Sequence, residues 1–233
     1  MWKCYRCAAQ IWYIFVCYGV VYGNFLDANM KQAPLISEIS LSHGQVMYVI
    51  ESMHIAEWLD RPALDSVLKK FRRSLIPFSA DELEKPHWDE HRYDYFHLVE
   101  CVVAMKMVAD GLAFRHVVSL LSFDRDKLRS LYSKALMDVS FGEGKEIKIT
   151  AVDGRVLRVG GLYLDFIATI SKDGVLSTPG PCLLGPWEAL NRYMGEYVGL
   201  HPSMPIRLSQ LAAEAVRIAQ SAPVYKRGRR PGE

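Results

Sequence analysis

Basic residues are concentrated in one short stretch of this chain. Between Arg61 and Arg73 there are five Lys or Arg residues and a single acid, Asp65. Cations three and four positions apart on a helix project together, and such a row can neutralise neighbouring phosphates and release their counterions. The stretch therefore predicts binding to a polyanion. The same cations are also typical of a solvated helix surface, and the sequence leaves this alternative open.

Three other groups of residues have the side chains for metal, thiol or phosphate chemistry, but not the spacing. His87 and His91 lie four positions apart, but a preceding proline favours a loop over a metal-binding helix. Segment 142–145 lacks the spacing and the Ser or Thr of a phosphate-binding loop. Cys4 and Cys7 are at most half of a zinc site. We therefore predict no catalytic residue, no metal and no cofactor, and interpret the protein as a non-enzyme.

The composition is typical of an ordinary soluble, folded chain. Its 233 residues, 50% hydrophobic and 23% charged, predict one or two domains. The 28 Lys plus Arg and 26 Asp plus Glu leave a formal charge of only +2, so attraction to nucleic acid must come from local clustering. The five cysteines are unevenly spaced and do not resemble a disulfide framework, which favours a cytoplasmic location.

Residues 1–29 differ in composition from the rest of the chain. Lys3 and Arg6 precede an apolar run at 8–23, which is shorter than the roughly 20 residues that a membrane-spanning helix needs. Three interpretations are open: a weak membrane anchor, a core or interface helix, or translated upstream sequence with Met30 as the true start. We rank the third slightly first, because the aromatic and Cys-rich composition ends abruptly there.

Apolar periodicity and helix-breaking residues predict a helical head at residues 46–139. An apolar stripe predicts a first helix from Val46 to Leu59, which Asp60-Arg61-Pro62 ends. Pro62 favours the start of a second helix that continues from Ala63 to Phe71. The rest of the head is predicted as a loop or short hairpin at 75–96, then helices from Phe96 to about Asp110-Gly111, at 114–121 and at 125–139, the last capped by Asp124.

The second half of the chain predicts a small antiparallel sheet followed by two helices. Residues 146–152 alternate with period two, Asp153-Gly154 favours a hairpin turn, and 155–159 form the returning strand. A longer apolar run at 162–170 follows. Pro-rich sequence around Pro179, Pro181 and Pro186 then separates the sheet from helices predicted at 187–198 and 206–220.

These elements predict an α+β protein. The predicted units are a helical domain at 46–139, a small antiparallel β-sheet with two C-terminal helices at 145–221, and a basic tail at 222–233.

The order of motifs from His54 to Phe123 carries a family resemblance. His54-Ile55-Ala56-Glu57-Trp58-Leu59 precedes the basic segment 63–73, Leu75-Ile76-Pro77 follows it, and His91-Arg92-Tyr93 and 110–118 come later. In this order the segments resemble the winged helix-turn-helix head of the mercury-resistance-regulator (MerR) type of transcription factors. The first two look like its first helix and its major-groove helix. The others look like its helix exit, the end of its wing and the segment after the wing.

The resemblance implies a regulator that binds duplex DNA, with residues 63–73 in or against the major groove. Together with the basic cluster, it gives eight candidate DNA-contacting residues: Arg61, Ser66, Lys69, Lys70, Arg72, Arg73, Arg92 and Tyr93. It also implies a homodimer, and the C-terminal unit would hold a protein partner or the second protomer. Two other functions stay open: a helical adaptor that binds protein through the same surface, and a small membrane-anchored protein that uses residues 8–23.

Overall fold

A computed structural model describes residues 39–84, 91–141, 147–150, 156–167, 179–186, 188–189 and 205–224. The helices are α1 His43–Ser52, α2 Arg61–Arg73, α3 Ala80–Leu83, α4 Tyr95–Ala109, α5 Phe114–Phe123, α6 Arg125–Phe141 and α7 Leu208–Gln220. The strands are β1 Ile147–Thr150, β2 Val156–Val159, β3 Tyr163–Ile167 and β4 Gly180–Leu184. Four features of the sequence analysis lie outside the described residues: segment 1–29, the predicted turn at Asp153-Gly154, most of the predicted helix at 187–198 and most of the basic tail.

Helix α1 begins earlier and ends earlier than the apolar stripe predicts. The Ser42 hydroxyl accepts from the Gln45 amide, and the Gln45 side chain accepts from the Ser42 amide at 2.9 Å, which starts the helix at His43. The helix ends at Ser52, because His54 has a left-handed φ of 55° that a helix cannot continue through. The predicted extension to Leu59 is therefore wrong, and 53–59 form turns.

Helix α2 confirms the predicted break and restart. The Asp60 carboxylate caps the helix by accepting from the Ala63 amide at 2.8 Å, and Pro62 lies in the first turn, where a missing amide proton has no cost. Because the cap and the proline are local signals, the start of this helix is set by residues 60–63. The apolar side of α2 is buried, and its opposite side is exposed.

The described part of segment 75–96 is mainly loop, as predicted, apart from a short helix and the first residues of α4. Ser79 and Glu82 form a reciprocal capping box, which makes residues 80–83 the short helix α3. Tyr93 instead forms an isolated antiparallel bridge with Leu41, through two backbone hydrogen bonds of 2.8 and 2.9 Å. The predicted wing at 75–96 therefore contains a helical turn, and Tyr93 pairs with the segment before α1.

Helices α4, α5 and α6 confirm the three helices predicted for this region. Asp94 caps α4 by accepting from the His97 amide at 2.8 Å. Gly111, with φ of 94°, has the left-handed conformation expected just past a helix end. The Asp124 carboxylate accepts from the Lys127 amide at 3.2 Å at the start of α6.

The described strands pair as two separate antiparallel hairpins. Strand β1 pairs with β2 from Ile147 opposite Val159 to Thr150 opposite Val156, which confirms the predicted strand pair. Strand β3 pairs with β4 in the order 163 opposite 184 to 167 opposite 180. Strand β4 was not predicted from the sequence, because Pro181 within it argues against a strand. In a two-stranded hairpin each strand is an edge, and a proline without an amide proton can face outward there.

Helix α7 shares a hydrophobic core with the predicted helical head. It contacts α1, α4 and α6, and its buried residues belong to the same cluster as those of the head. The Gln45 side chain donates to the Ala222 carbonyl at 3.2 Å. Strand β3 is attached beside α7, because Leu164 bridges Ile206 through two backbone hydrogen bonds of 2.7 and 2.8 Å. Helix α7 and strand β3 of the predicted second unit therefore share a core with the helical head in an α+β fold.

Within the described ranges, no helix combines the length and the apolar character needed to cross a membrane. The apolar run at 8–23 lies outside those ranges.

Candidate nucleic-acid interface

The exposed side of α2 carries four polar or basic residues, Ser66, Lys69, Lys70 and Arg73, which we call the cationic face. They recur at three- and four-residue intervals, which places them along one side of the helix. The opposite side is anchored in the core by three side chains that are at most 4% exposed: Leu64, Leu68 and Phe71. Because that side is buried, the helix cannot rotate about its axis, and the cationic face is held toward solvent.

Lys69 takes part in a hydrogen-bonded chain that joins α2 to α1 and to the bridge at Tyr93. Its ammonium lies 2.6 Å from the Asp65 carboxylate, whose other oxygen lies 2.8 Å from the His43 ring. The second ring nitrogen of His43 lies 3.1 Å from the Tyr93 hydroxyl. Burial raises the pKa of Asp65, but Lys69 and His43 lower it more, so the net shift is downward. Within this hydrogen-bonded chain the Lys69 side chain is 59% exposed, and a ligand phosphate would have to replace the Asp65 carboxylate as its partner.

Lys70 brings a second helix beside the cationic face. Its ammonium lies 4.2 Å from the centre of the Phe114 ring, a cation–π contact, and the rings of Phe114 and Phe71 are 4.5 Å apart. These contacts fix the first turn of α5 next to α2. Arg115 and His116 follow Phe114 directly and are exposed. The exposed cation Arg115 therefore lies on a helix that packs beside α2, a packing that the sequence did not predict because Phe114 and Lys70 are distant along the chain.

Arg61 and Arg72 lie on one edge of the cationic face rather than at its centre. The Arg61 guanidinium donates to the Glu51 carboxylate at 3.1 Å and joins α2 to α1. Arg72 is half-buried, whereas Lys69 and Arg73 are exposed. The two arginines therefore help to hold the helix in place as well as contributing positive charge.

Tyr93 is buried in this fold, so little of its side chain is available to DNA. Its side chain is 3% exposed, and its hydroxyl lies against the His43 ring. Burial also raises the pKa of the phenol, so the group stays neutral. The physical reason is the bridge with Leu41, which turns Tyr93 into the core. Arg92, its neighbour, is exposed.

Helix α3 carries the acids Asp81 and Glu82, and the Glu82 side chain is directed inward. The Glu82 carboxylate accepts from the Ser79 amide at 2.7 Å, while its other oxygen lies 3.3 Å from His97 and 3.7 Å from Arg129. Burial raises the pKa of Glu82, but Ser79, His97 and Arg129 lower it by more. The negative charge of Glu82 is thus compensated inside the head, which reduces its electrostatic repulsion of a polyanion.

The structure separates the eight predicted contact residues into three groups. The cationic face holds Ser66, Lys69, Lys70 and Arg73, and its edge holds Arg61 and Arg72. The third group lies outside α2, where Arg92 is exposed and Tyr93 is buried. In the described part of the chain, no group of three or more His, Cys, Asp or Glu residues is placed to hold a metal ion. No protein-family model, curated protein or solved structure matches the chain.

Proposed function

We propose that the protein is a non-enzymatic transcriptional regulator that binds duplex DNA through the cationic face of α2. The observation that carries the proposal is the exposure of Lys69, Lys70 and Arg73 on a helix whose opposite side is anchored in the core. Because the backbone of α2 is already held in place, binding phosphates orders only the Lys and Arg side chains, which favours affinity.

The dimensions of α2 support a duplex as the ligand. A helix of thirteen residues is about 20 Å long and about 10–12 Å wide with its side chains, and the major groove is about 12 Å wide. In the proposed complex, Lys69, Lys70 and Arg73 contact phosphates, and Arg115 reaches the flanking backbone. Ser66, on the same face, is left to contact a base edge or a phosphate. A homodimer, and a protein partner on the C-terminal segment, stay predictions.

The experiment that tests this proposal is fluorescence anisotropy of labelled duplex fragments at two salt concentrations. With four phosphate contacts, the affinity of the native chain should fall about 100-fold between roughly 50 and 200 mM salt. Replacing Lys69, Lys70 and Arg73 together by Ala should weaken binding and leave about a fourfold salt effect, because about one contact then persists.

A matched control removes the same charge elsewhere. Lys127, Lys134 and Arg217 are exposed cations on α6 and α7, outside the cationic face. Their joint replacement by Ala should leave the affinity and its salt slope near the native values. The proposal fails if the native chain shows no salt-sensitive retention of DNA. It also fails if the control triple variant loses as much affinity as the α2 variant.

A second candidate function, a protein-binding adaptor, is favoured by one observation. The Trp58 side chain is 58% exposed in the turn just before α2, and exposed tryptophans often anchor protein interfaces. In that case Trp58→Ala would abolish binding of a protein partner, while neither the native chain nor the variant would retain duplex DNA. If the native chain binds DNA with the expected salt slope, DNA binding is supported over the adaptor.

A further inference from the structure

The end of α2 has the hydrogen bonds of a Schellman motif with leucine in place of the usual glycine. The Ile76 amide donates to the Phe71 carbonyl at 3.0 Å, and the Leu75 amide donates to the Arg72 carbonyl at 3.1 Å. Leu75 takes the left-handed conformation, with φ of 61°, which is unfavourable for a residue with a branched side chain. Some other contact must therefore stabilise this turn.

Arg125, at the start of α6, supplies that contact. One nitrogen of its guanidinium donates to the Leu75 carbonyl and, at 3.0 Å, to the Glu100 carboxylate on α4. Glu100 is completely buried, and the Arg125 side chain is only 19% exposed. The guanidinium therefore bridges a carboxylate in the core and the backbone immediately after the cationic face.

We infer that Arg125 is a positioning residue for the cationic face, and that the charge of Glu100 decides how firmly it holds the end of α2. With Glu100 ionised, the guanidinium is paired and stays between the two oxygens. With Glu100 neutral, a largely buried cation loses its charged partner, and its contact with the Leu75 carbonyl weakens. We call this contact the Arg125 clamp. That the clamp serves DNA binding rests on the proposed function.

The surroundings of Glu100 place this change of charge close to neutral pH. Burial raises the pKa of Glu100 to about 7, against the lowering effect of Arg125, Arg129 and His97. The ionisable groups that face it are Arg125, Arg129 and Tyr132 from α6 and His97 and Cys101 from α4. The second carboxylate oxygen of Glu100 and the Tyr132 hydroxyl have no hydrogen-bond partner within the part of the chain described.

The clamp can be tested without DNA, by amide hydrogen exchange at Leu75 and Ile76. After correction for intrinsic exchange rates, protection in the native chain should be about tenfold higher at pH 8 than at pH 6, the change expected for one charge-assisted hydrogen bond. Glu100→Gln should give the lower protection at both pH values. Arg125→Lys, which keeps the charge but whose ammonium ends one bond short of the bridging guanidinium nitrogen, should do the same. Lys127→Ala, at an exposed position of α6 two residues from Arg125, should behave as the native chain does.

Retention of the pH effect in Glu100→Gln would overturn the inference, because His97 or another group would then be its source. Unchanged protection in Arg125→Lys would overturn it as well, and this second variant covers the case in which Glu100→Gln folds poorly. Duplex affinity, measured in parallel, separates the two proposals. A pH-dependent clamp in a chain that binds no DNA leaves the clamp standing and rejects the proposed function. DNA binding without pH-dependent exchange rejects the clamp alone.

Discussion

Replacing Leu208 by Ala should destabilise the helical head, although residue 208 lies far from the head in sequence. Leu208 is fully buried and belongs to the same hydrophobic cluster as α4. Leu to Ala changes at buried sites cost about 2–5 kcal/mol, since they remove apolar contacts and leave a cavity. The total stability of a domain is only about 5–15 kcal/mol, so the loss should be a large fraction of it.

The assay follows urea unfolding by far-ultraviolet circular dichroism and, separately, amide hydrogen exchange in α4. A loss of about 3 kcal/mol should lower the urea midpoint by about 1.5 M, for a typical slope of about 2 kcal/mol per molar urea. The core amides of α4, around Leu98 and Val102, should lose the same free energy of protection as α7, because the two helices contact each other. Val224→Ala, at a side chain that is 80% exposed, should change stability by less than about 0.5 kcal/mol.

One result would refute the reasoning. If Leu208→Ala lowers protection in α7 and leaves α4 unchanged, or if two unfolding transitions appear, the two parts do not unfold together. The shared core would then couple the unfolding of α7 and α4 only weakly. That result would support the division of the chain at residue 145 that the sequence predicts.

Three further predictions concern local contacts. Tyr95→Phe should cost about 1 kcal/mol in urea unfolding, because the buried hydroxyl of Tyr95 donates to the Tyr132 carbonyl at 2.8 Å. Asp94→Ala should cost about 1 kcal/mol at neutral pH through the lost cap of α4. Burial raises the pKa of Asp94 but hydrogen bonds from His97 lower it more, so this contribution is present above the ordinary value of 3.8. It should disappear as the pH falls through the lower folded pKa, which urea midpoints over an acid pH series would reveal. Asp65→Asn should strengthen duplex binding by less than about tenfold in anisotropy, because it removes the anion nearest the cationic face; weaker binding would contradict this.

Several of the elements predicted correctly from the sequence have local end signals. Asp60 and Pro62 start α2, Gly111 ends the turn after α4, and Asp124 starts α6. Each of these signals acts within about four residues of the backbone groups that it satisfies, so it can be identified without the fold. The cationic face can also be identified without the fold, because the spacing of its residues on a helix is a local property.

Three of the errors have causes that are not local, whereas the capping boxes that start α1 and α3 are local signals that were missed. The left-handed His54 ends α1 within an apolar pattern that would otherwise continue. Strand β4 forms despite Pro181, because β3 offers an edge partner. Tyr93 is buried, because it pairs with Leu41 across many intervening residues. None of these partners can be identified from the residues beside them.

The amino-acid sequence by itself determined where α2 begins, how its cations are spaced and which of its sides is apolar. Only the tertiary structure decided that Phe114 packs beside Lys70, that Arg125 holds the end of α2 to Glu100, and that α7 completes the core. The physical reason is the distance along the sequence over which each determinant acts. Helix caps and periodicity depend on neighbours within one or two turns, whereas burial depends on which distant apolar surfaces meet, and many pairings satisfy the same local pattern.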